Sequence, residues 1–240
     1  SVKTIVPYNP DNSWGWIDSF EPNIKKNLEI ISGDICDQNL VSKLVKNVDV
    51  IFHLAALISI PYSYVSPRSY ISTNIMGTLN LLEASRNSNV ELFVQTSTSE
   101  VYGSSQYSPI DEQHPLNAQS PYAATKIAAD QLALSYYRSF DLPVSIIRPF
   151  NTFGPRQSLR AFIPTIITQV LSSKKKIKLG NLNPKRDFSY ISDTVRGFTS
   201  CIGKKKCLGQ AINLGTGVVF SMQETLNLIT EYIGKDVICE

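Results

Sequence analysis

A phenol and an ammonium held one helical turn apart can exchange a proton with an alcohol. Tyr122 and Lys126 stand four residues apart in "SPYAATKIAADQ" (120–131), and residues at that spacing share one face of a helix. A lysine cation beside a phenol favours phenolate. The spacing therefore predicts a Tyr122 drawn from its ordinary value, about 10, toward neutrality, where it can serve as general base or acid. A second cluster stands upstream. "QTSTSEVYG" (95–103) sets Thr96, Ser97, Thr98, Ser99, Glu100 and Tyr102 directly behind an apolar run. Such a stretch is poor core material: it is either a polar turn or a surface that handles protons. Tyr-x-x-x-Lys alone also occurs as a solvated pair on exposed helices.

The elements that would carry these residues alternate regularly. Strand-like runs "VKTIV" (2–6), "LEIISGD" (28–34), "VDVIFHLAA" (48–56), "VELFVQTS" (90–97) and "LPVSIIRP" (142–149) are separated by helix-like stretches. The helices read as 37–47 with Asp37 as N-cap, 67–88 opened by Pro67, and 120–140. This alternation predicts a parallel sheet flanked by helices. Beyond residue 150 the texture changes. Loops "FNTFGPRQS" and "GNLNPKRD" separate helices at 161–173, at 191–202 capped by Ser192, and at 221–234, where Ser221 and Glu224 form a capping box. We expect domains at 1–150 and 151–240, some strands of the smaller lobe returning to the main sheet. Open parallel sheets bind ligands beyond the carboxyl ends of their strands, which puts "HLAA", "TSTSE" and "RPFN" on one rim.

Bulk properties narrow the function. The chain has 240 residues, 42% hydrophobic and 18% charged, with a net charge of +3. That charge is too small to argue for nucleic acid or a membrane surface. The Lys174-Lys175-Lys176 and Lys204-Lys205-Lys206 triplets read as solvated helix ends. Four cysteines (Cys36, Cys201, Cys207, Cys239) without C-x-x-C spacing and only two histidines predict no metal site and a reducing, cytoplasmic setting. No apolar run approaches a membrane span.

Taken in order, "GDICD", "DVIFHLAA", "TNIMGTLNLLEA", "TSTSEVYG", "SPYAATK", "RPFNTFGPR" and "KRDFSYISDTV" resemble the extended short-chain dehydrogenase/reductase family, the NAD-dependent nucleotide-sugar epimerases and dehydratases. The resemblance covers nearly the whole chain. It implies a Rossmann-like, doubly wound α/β fold with a smaller C-terminal substrate lobe. It implies a bound nicotinamide cofactor: Asp34 and Ile35 along the adenine, and Leu54, Ala55 and Ala56 along the pyrophosphate and ribose. Thr96, Tyr122 and Lys126 would lie at the nicotinamide end. Thr98 would bind the sugar hydroxyl being oxidised, while Asn151 and Arg186 would contact the nucleotide diphosphate. Arg186 could instead pair with Asp187 in a surface loop. The family also implies a homodimer through the helices at 67–88 and 120–140.

Two departures from the family pattern stand out. The glycine-rich fingerprint of the first strand-to-helix turn is absent, and we expect that the first strand and helix are missing by truncation. The acidic residue that ends the second strand in NAD-binding members is also absent, since "TIVPYN" offers Pro7 and Tyr8. NAD and NADP both remain open.

Glu100 discriminates among reactions. A C4 epimerase has no use for a carboxylate beside Thr98. A 4,6-dehydratase needs a base for the C5 proton and a proton for the departing C6 hydroxyl. Here the triplet is Thr98-Ser99-Glu100, as in GDP-mannose 4,6-dehydratase; with Ser99 a poor acid, Glu100 would do both. The segments 12–18 ("NSWGWID") and 53–70 look most like dehydratases of the legionaminic acid pathway, acting on GDP-N-acetylglucosamine. UDP-glucuronate decarboxylases also carry Thr-Ser-Glu but usually follow the lysine with arginine, where Ile127 stands. A C4 epimerase, or a binding module without catalysis, are the other readings. His53 reads as a core histidine, His114 as loop, and Trp14 and Trp16 as packing under cofactor or lid.

Overall fold

The structure is a computed structural model, and it describes residues 1–172 and 176–239. Lys174 and Lys175 of the first lysine triplet lie outside the described residues. Two compact units emerge: Ser1–Arg148 with Ser200–Ile212, and Pro149–Thr199 with Asn213–Glu240.

In the first unit, strands β1 (Val2–Val6) and β2 (Leu28–Ser32) pair in parallel, Val2 opposite Leu28 and Ile5 opposite Ile31. Helix α1 (Pro22–Lys25) lies between them in the chain. Helix α2 (Gln38–Leu44) starts on Asp37, whose carboxylate accepts from the Asn39 and Leu40 amides at 2.9 and 3.1 Å. It covers one side through Val41 and Val45, in a cluster that also takes Ile5 and Ile51. Strand β3 (Val50–His53) precedes α3 (Ile60–Val65), a helix capped by Ser59. Then α4 (Pro67–Tyr70) and α5 (Gly77–Arg86) run as one helix interrupted by a π turn over Ile71–Met76. Strand β4 (Leu92–Thr96), helix α6 (Pro121–Phe140) and strand β5 (Val144–Pro149) complete the series.

Parallel strands sealed on both faces read as continuous apolar runs, and β4 and β5 are the buried centre: Phe93, Val94, Val144 and Ile146 are inaccessible. Against them α5 and α6 pack Leu82, Ala133, Leu134 and Tyr136. Pro121 sits at the start of α6, and the Ser120 hydroxyl accepts from the Ala123 amide at 3.1 Å, fixing where the helix begins and hence where Tyr122 stands.

The second unit opens with β6 (Asn151–Phe153), a strand inside what reads as a loop sequence. Helix α7 (Phe162–Leu171), β7 (Lys176–Ile177), β8 (Lys185–Tyr190) and α8 (Ile191–Thr199) follow. Because α8 leaves β8 directly at Ile191, Ser192 lies inside its first turn instead of capping it. The chain then returns to the first unit through 200–212, and β9 (Ala211–Leu214) completes a sheet of order β3-β4-β5-β9. Strand β10 (Val219–Ser221), α9 (Met222–Ile233) and β11 (Ile238–Cys239) end it. The predicted capping box is present: Ser221 Oγ accepts from the Glu224 amide at 3.0 Å and the Glu224 carboxylate from the Ser221 amide at 2.7 Å. Helices α7 and α9 share a core of Ile166, Val170, Ile177 and Leu226. No helix among the described residues is long and apolar enough to cross a membrane.

Candidate active site

The rim residues of the first unit converge. Strand β4 ends at Thr96, and the chain turns through a 3-10 segment, Ser99–Tyr102, whose N-cap is Thr98. The Thr98 hydroxyl accepts from the Glu100 amide at 3.2 Å and hydrogen-bonds the Tyr122 phenol. Glu100 is half-buried and close enough to Tyr122 for its charge to act on the phenol. Gly103 closes the turn at a φ of +65°; a Cβ there would lie 2.2 Å from the Asn117 carbonyl oxygen, so only glycine fits. Thr98, Ser99, Glu100, Tyr122 and Lys126 therefore belong to one turn and one helix face.

The electrostatics differ from expectation. Burial, reinforced by the Glu100 and Asp130 charges, pushes the Tyr122 phenol up to about 12, although the Thr98 bond opposes it. The predicted drop toward neutrality is absent. The reason is where the lysine points: Lys126 donates from Nζ to the Thr96 carbonyl. Lys126 is itself buried, and desolvation lowers it to about 8, with Asp130 working against that drop. Both groups rest in their protonated forms at neutral pH.

The residues expected to meet a dinucleotide follow or end strands β2, β3 and β4 of the first unit. Thr96 Oγ1 is buried with no hydrogen-bond partner among the described residues, beside the carbonyl that Lys126 holds. An unpartnered hydroxyl next to a lysine and a phenol suits the diol of a ribose. Leu54 is exposed and Ala55 and Ala56 half-buried. Their loop is pinned by Asn74 in the π turn, which accepts from the Leu57 amide at 2.8 Å and donates to the Leu57 carbonyl at 3.0 Å and to Thr125 Oγ1 at 3.1 Å. Asp34 is exposed and its carboxylate accepts from the Cys36 amide at 2.9 Å. The Ile35 side chain, by contrast, is buried in the core against Gly77, where a Cβ would meet its Cδ1 at 2.4 Å. Its side chain cannot lie along an adenine, and its carbonyl already accepts from Asn80 at 3.0 Å. The residues thus fit the nicotinamide-ribose end of a dinucleotide; no glycine-rich phosphate turn is among them.

Asn151 and Arg186 lie in the second unit. Strand β6 pairs in parallel with β8, Asn151 opposite Phe188, and β10 pairs antiparallel with it, Phe220 opposite Arg186. Since Arg186 is two residues before Phe188, the period of a strand puts Asn151, Arg186 and Phe220 on one face. The surface pair of Arg186 with Asp187 does not form. Asp187 instead accepts from the Thr216 amide and hydroxyl at 3.0 and 2.7 Å and from the Gly217 amide at 2.7 Å, while Arg186 donates to the Lys185 carbonyl at 2.9 Å.

The other histidine and tryptophan readings divide. His53 is a core histidine bonded to Thr78 Oγ1 at 2.8 Å. Thr78 spends its proton on the Asn74 carbonyl at 2.7 Å, so His53 Nε2 carries the hydrogen. His114 is buried and pins its loop, Nε2 accepting from the Gln106 amide at 2.9 Å and Nδ1 donating to the Pro115 carbonyl at 3.0 Å. Trp14 and Trp16 are exposed. Asn74, Asp130 and Arg148 escaped the sequence reading. For Asp130 a signal was available, since Tyr122, Lys126 and Asp130 follow one another at successive turns of one helix face.

This constellation has relatives. The profile of the family described as GDP-mannose 4,6 dehydratase matches residues 1–240. The chain belongs to that family. Among curated proteins, the low-salt glycan biosynthesis protein Agl12 of Haloferax volcanii is 35% identical over 93% of this chain and 70% of its own length. Among solved structures, the dTDP-glucose 4,6-dehydratase DesIV of Streptomyces venezuelae, with NAD and TYD bound, matches with a TM-score of 0.85 at 29% identity, over 98% of this chain and 74% of that one. UDP-glucuronic acid 4-epimerase of Bacillus cereus, in complex with UDP-glucuronic acid and NAD, matches with a TM-score of 0.89 at 30% identity, over 100% of this chain and 76% of that one. The family is thus one of nucleotide-sugar 4,6-dehydratases and 4-epimerases with a Rossmann-like fold.

Proposed function

We propose that the protein is a nucleotide-sugar 4,6-dehydratase, converting an NDP-hexose to its 4-keto-6-deoxy form with bound NAD. The observation that carries the reading is the half-buried Glu100 carboxylate set on the turn that hydrogen-bonds Tyr122 and close enough to bias it. An epimerase has no proton for that carboxylate to move. In this reading the first unit holds the dinucleotide and Asn151 and Arg186 of the second hold the substrate diphosphate. The NAD-bound solved relatives support NAD over NADP, the family resemblance supports a homodimer through 67–88 and 120–140, and the cysteine usage supports a cytoplasmic setting.

Bound NAD supplies the acceptor for the C4 hydride and its return to C6, together with the cationic charge that favours a phenolate. Tyr122 takes the C4 hydroxyl proton, and Thr98 orients that hydroxyl. Lys126 and Thr96 hold the ribose. Once C4 is a ketone the C5 proton is acidic; Glu100 takes it and returns a proton to the C6 hydroxyl as water leaves.

GDP-N-acetylglucosamine is the substrate the 12–18 and 53–70 segments favour, UDP-N-acetylglucosamine is the alternative nucleotide, and dTDP-glucose is the control. Incubation of each with NAD should give a product lighter by one water. Loss of carbon dioxide from UDP-glucuronate, or an isomer of unchanged mass, would overturn the dehydratase reading in favour of a decarboxylase or an epimerase.

A further inference from the structure

Beneath the turn and helix that carry the proposed chemistry lies a sealed group of charges. Asp130 is inaccessible and Arg148, at the end of β5, nearly so. Arg148 donates from Nε and Nη2 to Asp130 Oδ2 at 3.3 and 3.2 Å. Ser97 Oγ donates to the same oxygen at 2.7 Å. Arg148 Nη1 also donates to the Tyr102 hydroxyl at 2.9 Å, at the end of the turn that presents Glu100. The other oxygen, Asp130 Oδ1, is buried and has no hydrogen-bond partner among the described residues. Three donors crowd one oxygen of this carboxylate while the second is left without any, one helical turn beyond Lys126.

We infer that Asp130 is a positioning residue for the active site, holding Lys126 in its ammonium form, with Arg148 and Ser97 anchoring the carboxylate in place. A guanidinium cannot lose its proton in a protein, so Arg148 keeps its partner ionised; a neutral Asp130 would strand a buried cation. Burial pushes the Asp130 carboxyl up, and Arg148, Ser97 and Lys126 each pull it back. Burial works against charge on Lys126 as well, and Asp130 is the group that opposes it. The groups facing Lys126 and its phenol neighbour are His53 from β3, Tyr122 and Asp130 from α6, Glu100 from the turn and Tyr70 from α4. Of these, His53 is neutral, Tyr122 and Tyr70 are protonated and the Glu100 charge acts on the phenol, whereas Asp130 is the anion acting on the lysine.

The proposal rests on the dehydratase reading only for its catalytic meaning, and its test reads the lysine directly. Protein labelled with nitrogen-15 at lysine would be titrated by NMR, with the Lys126 Nζ signal assigned by its loss in Lys126→Met. The wild type should titrate near pH 8, and Asp130→Asn, which preserves shape, should titrate at lower pH. If Asp130→Asn fails to fold because Arg148 is left unpaired, the double variant Asp130→Asn/Arg148→Met removes both charges and should also move the midpoint downward, by less than the single variant because a cation is lost as well. A Lys126 midpoint unchanged in the folded variant would overturn the proposal and leave the ion pair as folding glue. Where turnover is measurable, the alkaline limb of kcat/KM should move with the NMR midpoint. A wild type without turnover refutes the dehydratase reading alone, and the titration still decides the role of Asp130.

Discussion

Replacing His53 by Gln isolates one buried proton site whose effect on stability can be worked out. In the folded chain burial, and after it the Lys126 charge, push the imidazole down to about 3, from an ordinary value of 6.5. Between those values the unfolded chain binds a proton that the folded one refuses. Stability therefore falls as pH drops below about 6.5, by about 1.4 kcal/mol per pH unit, until the folded imidazole also protonates near pH 3. Across the whole window the loss is about 5 kcal/mol, comparable with the entire stability of a small domain. Glutamine can still donate to Thr78 but does not titrate. Urea unfolding followed by circular dichroism at pH 7, 6, 5 and 4 should give a wild-type curve that falls faster with acid than the His53→Gln curve. Below pH 6 the difference should approach about 1.4 kcal/mol per unit. A lower stability of the variant at pH 7 is immaterial, because the slope carries the test and the carboxylates are common to both proteins. Parallel curves would refute the reasoning.

Glu100→Gln should keep dinucleotide and sugar-nucleotide binding but lower product formation by about 10²–10⁴-fold, read by mass spectrometry; unchanged turnover would remove Glu100 from proton transfer. Asn74→Ala leaves the Leu57 amide and carbonyl unpaired, and should destabilise the protein by about 1–3 kcal/mol and weaken dinucleotide binding in a calorimetric titration. Gly103→Ala combines a left-handed backbone with a clash on a carbonyl. It should lose at least about 1–2 kcal/mol in urea unfolding, whereas Gly180→Ala, which meets nothing within 4 Å, should be near neutral. Tyr102→Phe removes only the hydroxyl that steadies Arg148, and should lower kcat while leaving the Lys126 titration in place; an unchanged kcat would show that the Glu100 turn holds itself.

Much of the site was legible because its chemistry is written in local spacing. Ser120 before Pro121 sets the start of α6, and the helical period then aligns Tyr122 with Lys126. Thr98 capping its own turn places Glu100 two residues on. Asp37 and the Ser221–Glu224 box were readable for the same reason, since a cap needs no partner outside its own turn. Strand β6 was not: "NTF" is three residues long, stands one residue after Pro149 and precedes a glycine, and only its pairing with Phe188, Ser189 and Tyr190 of β8 makes it a strand. The inward turn of Ile35 likewise depends on Gly77, 42 positions along the chain, leaving room for it.

The sequence by itself determined which groups could move protons, in what order along the chain, and on which helix face, because periodicity and capping act over a few residues. Only the tertiary structure decided their charge states. The Tyr122 phenol rises and the Lys126 ammonium falls because both are taken out of water, and because the lysine reaches the Thr96 carbonyl instead of the phenol. Desolvation, and charges brought in from other elements such as Glu100 on its turn and Arg148 on β5, are properties of an enclosed volume, and no local pattern of residues contains them.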